Sequence, residues 1–145
     1  MRIAGIDFGT KRIGVALADE SVGIATPHST CHRRGEDADR KFFLNLVAAE
    51  GIERFVVGLP VHLDGNESQK SVEARRFGEW LHQVTQVPIE FFDERFTTVE
   101  ADAILNATSL TKKKRMLRRD QLAAQIMLTA YLESGGESGA AMSIG

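Results

Sequence analysis

The chain has 145 residues, 43% hydrophobic and 26% charged, which is one domain's length and an ordinary globular balance; it excludes disorder, collagen-like repeats and a disulfide-rich scaffold. The net charge of −2 gives no global electrostatic reason to expect a nucleic-acid or membrane partner, although such a sum hides local clusters. A single cysteine, Cys31, allows no intramolecular disulfide and suits a reducing compartment, with the cytoplasm as the default expectation.

The N-terminal run Met1-Arg2-Ile3-Ala4-Gly5-Ile6-Asp7 meets an acid before an apolar h-region forms, so no secretory signal is expected. Short strands are predicted at Arg2–Phe8, Arg12–Ala18 and about Gly23–Thr26, and their tight connections make them an antiparallel meander. Within the second, Ile13, Val15 and Leu17 alternate with Gly14, Ala16 and Ala18, so the small-residue face awaits a closely packed neighbour. A polar loop is read at Cys31–Asp37, then a helix over Ala38–Glu50 ended by Gly51. The unbroken apolar run Phe55–Leu59 suits a central strand covered on both faces.

After a polar loop, Val61–Glu67, a second helix is predicted from about Ser68 to Gln86, and a strand at Ile89–Asp93 behind Pro88. Thr97 and Glu100 have capping-box spacing for a helix over about Val99–Leu105. A basic loop, Asn106–Lys114, leads to a final helix over about Met116–Glu133, whose most apolar stretch, Leu122 to Leu132, is too short to cross a bilayer. Gly135–Gly145 reads as a flexible tail to a single 1–134 domain. The order βββ-α-β-α-β-α-α implies an α/β fold, with a mixed sheet antiparallel at one end and parallel where helices cross over.

Acids at strand ends carry the chemical signal. Asp7 closes the first strand, and Asp93 with Glu94 closes the strand that begins at Ile89; ligands gather outside such carboxyl ends in open α/β sheets. Asp120 shares a helical face with Leu117, Ala124, Met127 and Tyr131. A carboxylate on a core-facing stripe needs a partner, either an arginine or a bound cation. Carboxylates without histidine or thiolate company are ligands for Mg²⁺ or Mn²⁺, the ions of in-line phosphodiester hydrolysis. Next to Asp120 stands the run Lys112, Lys113, Lys114, Arg115, Met116, Leu117, Arg118, Arg119. Its basic residues oppose a helix dipole and favour contact with nucleic-acid phosphates over a merely solvated face. His28, Cys31 and His32 lack the second ligand pair of a zinc site, and neither GxGxxG nor GxxxxGK[ST] occurs.

Gly5-Ile6-Asp7-Phe8-Gly9-Thr10-Lys11-Arg12-Ile13-Gly14, Val57-Gly58-Leu59-Pro60, Leu63-Asp64-Gly65, Asp93-Glu94-Arg95-Phe96-Thr97-Thr98 and Asp120 with Ala123-Ala124 resemble, in order, the motifs of the YqgF family, also called RuvX. The resemblance implies an RNase H-like fold and a cytoplasmic, divalent-metal-dependent nuclease that matures the 5′ end of pre-16S ribosomal RNA, with branched-DNA cleavage as the other activity. It places Asp7, Glu94 and Asp120 at the acidic catalytic, metal-binding positions, with Asp93 as a fourth acid, and Thr10, Lys11 and Arg95 at phosphate contacts. Compared with related resolvases, no second acid follows Asp120 by one helical turn, so the metal shell is leaner. A non-catalytic nucleic-acid-binding module is the competing expectation. An ATPase resembling the Asp7-Phe8-Gly9-Thr10 loop would need two such units, and either a monomer or a homodimer suits the chain.

Overall fold

The computed structural model describes residues 1–60, 68–93, 112–135 and 142–144, with 112–117 and 142–144 described by their backbone. Six strands form one mixed sheet in the order β3-β2-β1-β4-β5-β6. β1 (Arg2–Asp7), β2 (Arg12–Asp19) and β3 (Ile24–His32) are the antiparallel meander. β4 (Arg54–Leu59) runs parallel to β1, and β5 (Ile89–Asp93) parallel to β4. Between them lie α1 (Glu36–Glu50) and α2 (Gln69–Thr85), and the chain continues into α3 (Lys112–Glu133) and β6 (Met142–Ile144).

Strand alternation divides the core in two. On one face Ala4, Ile6, Ile13, Val15, Phe55, Val57, Ile89 and Phe91 pack against Phe43 and Leu46 of α1 and Phe77 and Leu81 of α2. On the other, Ile3, Ala16, Ala18, Val56 and Phe92 pack against Ala124, Met127, Leu128 and Tyr131 of α3. The small-residue face of β2 is therefore the floor on which α3 lies. Burying Met127, Leu128 and Tyr131 contributes about 1.5–3 kcal/mol each, enough to hold the helix there. Gln125 Nε2 donates to the Ala25 carbonyl and Gln121 Nε2 to Thr30 Oγ1, both at 3.0 Å, which fixes the helix along the meander.

Local chemistry sets the helix ends. α1 opens at Glu36, ahead of the expected Ala38, with Glu36, Asp37 and Asp39 in its first turn, where acids favour the helix dipole. Gly51 closes it in the left-handed region at φ 64°, as its position after the apolar stripe predicts. Ser68 caps α2 by accepting from Ser71 N at 3.1 Å, and its hydroxyl donates to the Pro60 carbonyl at 2.8 Å, tying that helix to the end of β4.

Beyond the earlier start of α1, the structure departs from the sequence reading in three places. β3 extends to His32 and includes Cys31, placed by sequence in a loop; as an edge strand it buries only Ala25 and Cys31, so no alternation announces it. Its register shifts beside Val15 and Ala16. α3 begins at Lys112, so Lys112, Lys113 and Lys114 are helical and not part of a loop. Within the stretch read as a flexible tail, Met142–Ile144 pairs antiparallel with β5, a strand of three residues and too short to leave a pattern. The helix expected at Val99–Leu105 and the polar loop at Val61–Glu67 lie outside the described residues.

Candidate active site

The site forms where the carboxyl end of β1 meets α3. Asp7 is the register partner of Gly14 on β2, and Gly14 is where α3 comes closest to the sheet. A Cβ at Gly14 would stand 1.9 Å from the Asp120 carbonyl oxygen and 2.9 Å from Asp120 Cβ. Only a residue without a side chain admits the helix at this depth. Gly5, two residues before Asp7 on the same face, is packed in the same way, its absent Cβ 2.9 Å from Leu128 Cβ. The two glycines thus lower α3 onto the sheet until Asp120 comes beside Asp7.

The electrostatics register that approach. Burial pushes the Asp7 carboxyl up to about 7, and the neighbouring Asp120 charge pushes it in the same direction; Arg119 and Lys70 oppose both. Asp120 also answers the question its helical position raised, because Arg12 Nε donates to its Oδ2 at 2.8 Å. The arginine partner and the acid pair therefore coexist. A cavity of about 300 Å³ opens here, lined by Thr10, Lys11, Arg12, Lys70, Glu73 and Asp120 among others.

Of the residues singled out from sequence, the structure gathers Asp7, Asp120, Thr10 and Lys11 at one place, with Arg119 acting on the Asp7 charge. Arg118 is exposed on α3. Asp93 continues the Ile89, Phe91 alternation toward the α1–α2 face, opposite the face that carries Asp7. Glu94 and Arg95, and the side chains of Lys112, Lys113, Lys114 and Arg115, lie outside the described residues. Arg12 and Lys70 were not foreseen as site residues. Arg12 had a signal, since a core-facing Asp120 requires a cation; Lys70 sits in an unremarkable polar stretch and had none.

The donor set fits a hard divalent cation. Asp7 and Asp120 bring only carboxylate oxygens, and a cation beside them would relieve the repulsion that raises the Asp7 carboxyl. Among the described residues no group of three or more acidic, histidine or cysteine ligands forms, so a complete shell would need a further donor.

A family model described as RuvX, Holliday junction resolvase, matches residues 1–134. The chain belongs to the RuvX family. A Rhodopirellula baltica relative, provisionally named pre-16S rRNA nuclease, is 44% identical over 133 residues, covering 92% of this chain and 77% of the relative. A Moorella thermoacetica relative of the same name is 40% identical over 139 residues, covering 96% and 99%. RuvX membership bears out the motif resemblance and, with it, the nuclease reading. Among solved structures, Thermus thermophilus RuvC in complex with a Holliday junction matches with TM-score 0.57 at 16% identity, covering 99% of both chains. Fowlpox virus resolvase with junction DNA matches with TM-score 0.59 at 11% identity, covering 94% of this chain and all of that one. These likenesses establish the RNase H-like fold.

Proposed function

We propose that this RuvX-family chain is a divalent-metal-dependent nuclease that processes the 5′ end of pre-16S ribosomal RNA in the cytoplasm. The observation that carries the reading is the approach of Asp7 to Asp120 beside Gly14, with Asp120 lining a cavity whose other walls include Lys11, Arg12 and Lys70. Acids hold a cation and bases hold a phosphate, and phosphodiester hydrolysis needs both in one place.

Asp7 and Asp120 would be two metal ligands, with Glu94 the third. Asp93 faces the opposite side of the sheet, which leaves its neighbour as the acid of choice. Mg²⁺ or Mn²⁺ held there would supply an activated water and charge stabilisation for the leaving oxygen. Arg12 positions Asp120 through its 2.8 Å bond. Lys11, Lys70 and Arg119 attract the scissile phosphate and offset the acid pair, while the Thr10 hydroxyl and Arg95 are further phosphate contacts. The basic residues of the first turns of α3, Lys112, Lys113, Lys114, Arg115 and Arg118, would extend the grip along the backbone.

Ribosomal RNA is preferred to branched DNA because relatives at 44% and 40% identity bear the RNA name, whereas the junction-bound structures stand at 16% and 11% and speak for fold. The test incubates purified protein with labelled pre-16S RNA and with a four-way DNA junction, in Mg²⁺, Mn²⁺ or EDTA. Asp7→Asn and Asp120→Asn, expected to fold, are run alongside wild type. The expected outcome is RNA cleavage by wild type, abolished by EDTA and by either substitution; full activity of Asp7→Asn would overturn the mechanism.

A further inference from the structure

Beside the catalytic cavity lies a larger hollow of about 670 Å³ between the start of α1 and the middle of α2. Phe8, Thr10 and Glu73 line both spaces, so they adjoin. Phe8 follows Asp7 directly in the chain, and alternation turns it toward the α1–α2 face. A strand whose phosphate sits at Asp7 therefore has the hollow within reach of a neighbouring nucleotide.

The walls have a particular chemistry. Phe8, Phe77 and Trp80 form a row with ring centroids 5.0 and 5.5 Å apart and both interplanar angles 35°. The Arg33 guanidinium lies 5.2 Å from the Phe8 centroid, held by its Nε bond to the buried Asp39 at 3.1 Å. The Trp80 indole N–H donates to Glu36 Oε1 at 3.3 Å, so an edge acceptor stands beside the indole. Glu36, Asp39 and Glu73 outnumber Arg33 and Arg76 around the hollow. That balance disfavours a phosphate and suits an uncharged planar group with hydrogen-bond donors on its edge. The size is within the range of pockets that enclose such groups, roughly 300–1,000 Å³.

Resting on the nuclease reading, we infer that this hollow is a base subsite that takes one unpaired nucleobase of the strand being cut. The base stacks on the Arg33–Phe8 pair and Trp80, as bases do on aromatic rings and guanidinium planes, and its exocyclic donors meet Glu36 or Glu73. A paired base cannot enter, so the subsite selects substrates with an unpaired nucleotide next to the scissile phosphate.

Trp80 is the only tryptophan, so its emission reports the subsite directly. The protein is titrated in EDTA with three probes: a single-stranded RNA of about 10 nucleotides, an abasic strand of equal length and charge, and a blunt RNA duplex. The single strand is expected to quench Trp80 and to bind about tenfold tighter than the abasic strand; the duplex should not quench. By anisotropy of labelled probes, Trp80→Leu should remove the tenfold advantage without changing abasic binding, and Trp80→Phe, which keeps a ring, should restore most of it. Thermal melts confirm that both variants are folded. Equal affinity for base-bearing and abasic strands, quenching by the duplex, or an unchanged ratio in folded Trp80→Leu would overturn the inference. Absence of RNA cleavage by wild type in Mg²⁺ or Mn²⁺ would instead remove the nuclease reading and leave the stacking result to stand by itself.

Discussion

Gly14→Ala isolates the packing that makes the site. The added methyl would sit 1.9 Å from the Asp120 carbonyl oxygen and 2.2 Å from its carbonyl carbon, both backbone atoms that no rotamer change can move aside. Restoring an ordinary contact of 3.4 Å requires α3 to retreat by roughly 1.5 Å, a strain of the order of 1–3 kcal/mol for overpacking. At about 3 °C per kcal/mol for a chain of this size, the melting temperature should fall by roughly 3–9 °C. Activity should fall further than stability explains, because a misplacement of about 1 Å at reacting groups costs on the order of a hundredfold. Gly5→Ala is the control: it also displaces α3, against the Leu128 side chain, but about two helical turns along α3 from Asp120. Melts and metal-dependent cleavage rates on both variants, at a temperature where both are folded, make the comparison. A Gly14→Ala protein with wild-type melting temperature and rate would refute the close approach, and equal loss of rate in both variants would refute its local role at the acids.

Three further outcomes are expected. Asp7 is held at about 7 against an ordinary 3.8, so the folded chain keeps a proton that the unfolded chain releases. The contribution of Asp7 to wild-type stability therefore declines as pH rises from about 4 to 7, by up to about 4 kcal/mol, and levels off above. Asp7→Asn should lack that slope and melt higher than wild type at pH 8 in EDTA but not at pH 4.5; a pH-independent difference would mean the carboxyl is not desolvated. Tyr131 donates to Glu90 and accepts from Arg54 at 3.0 Å, so Tyr131→Phe should cost about 1–2 kcal/mol in denaturant unfolding with cleavage per folded molecule unchanged. Arg12→Gln should weaken cleavage while raising the divalent concentration needed for half-maximal thermal stabilisation, since the acid it orients at 2.8 Å loses its fixed direction; an unaltered metal midpoint would deny Arg12 that task.

Much of this could be read from residue types in order. The meander, the covered strand at β4 and the glycine stop at Gly51 follow from local pattern, and the small face of β2 announced a close neighbour without naming it. Asp120 was legible because a charge in register with Ala124, Met127 and Tyr131 contradicts its surroundings. β3 was shortened because an edge strand needs few buried side chains and leaves Thr26, His28 and Ser29 free to be polar. Strand parity, which separates Asp93 from the Asp7 face, depends on where the core lies and not on the acid pair itself. Lys70 reaches the site through the Ser68 tie to Pro60, a tertiary bond that no spacing encodes.

The bond between Arg12 and Asp120 spans 108 residues of chain. The two halves of the site therefore come from distant parts of the chain, one from the opening strands and one from α3. Without α3, Asp7 would lack its companion acid and the small face of β2 would have no cover. Packing of α3 on the sheet thus covers that side of the core and brings the two acids together in a single step.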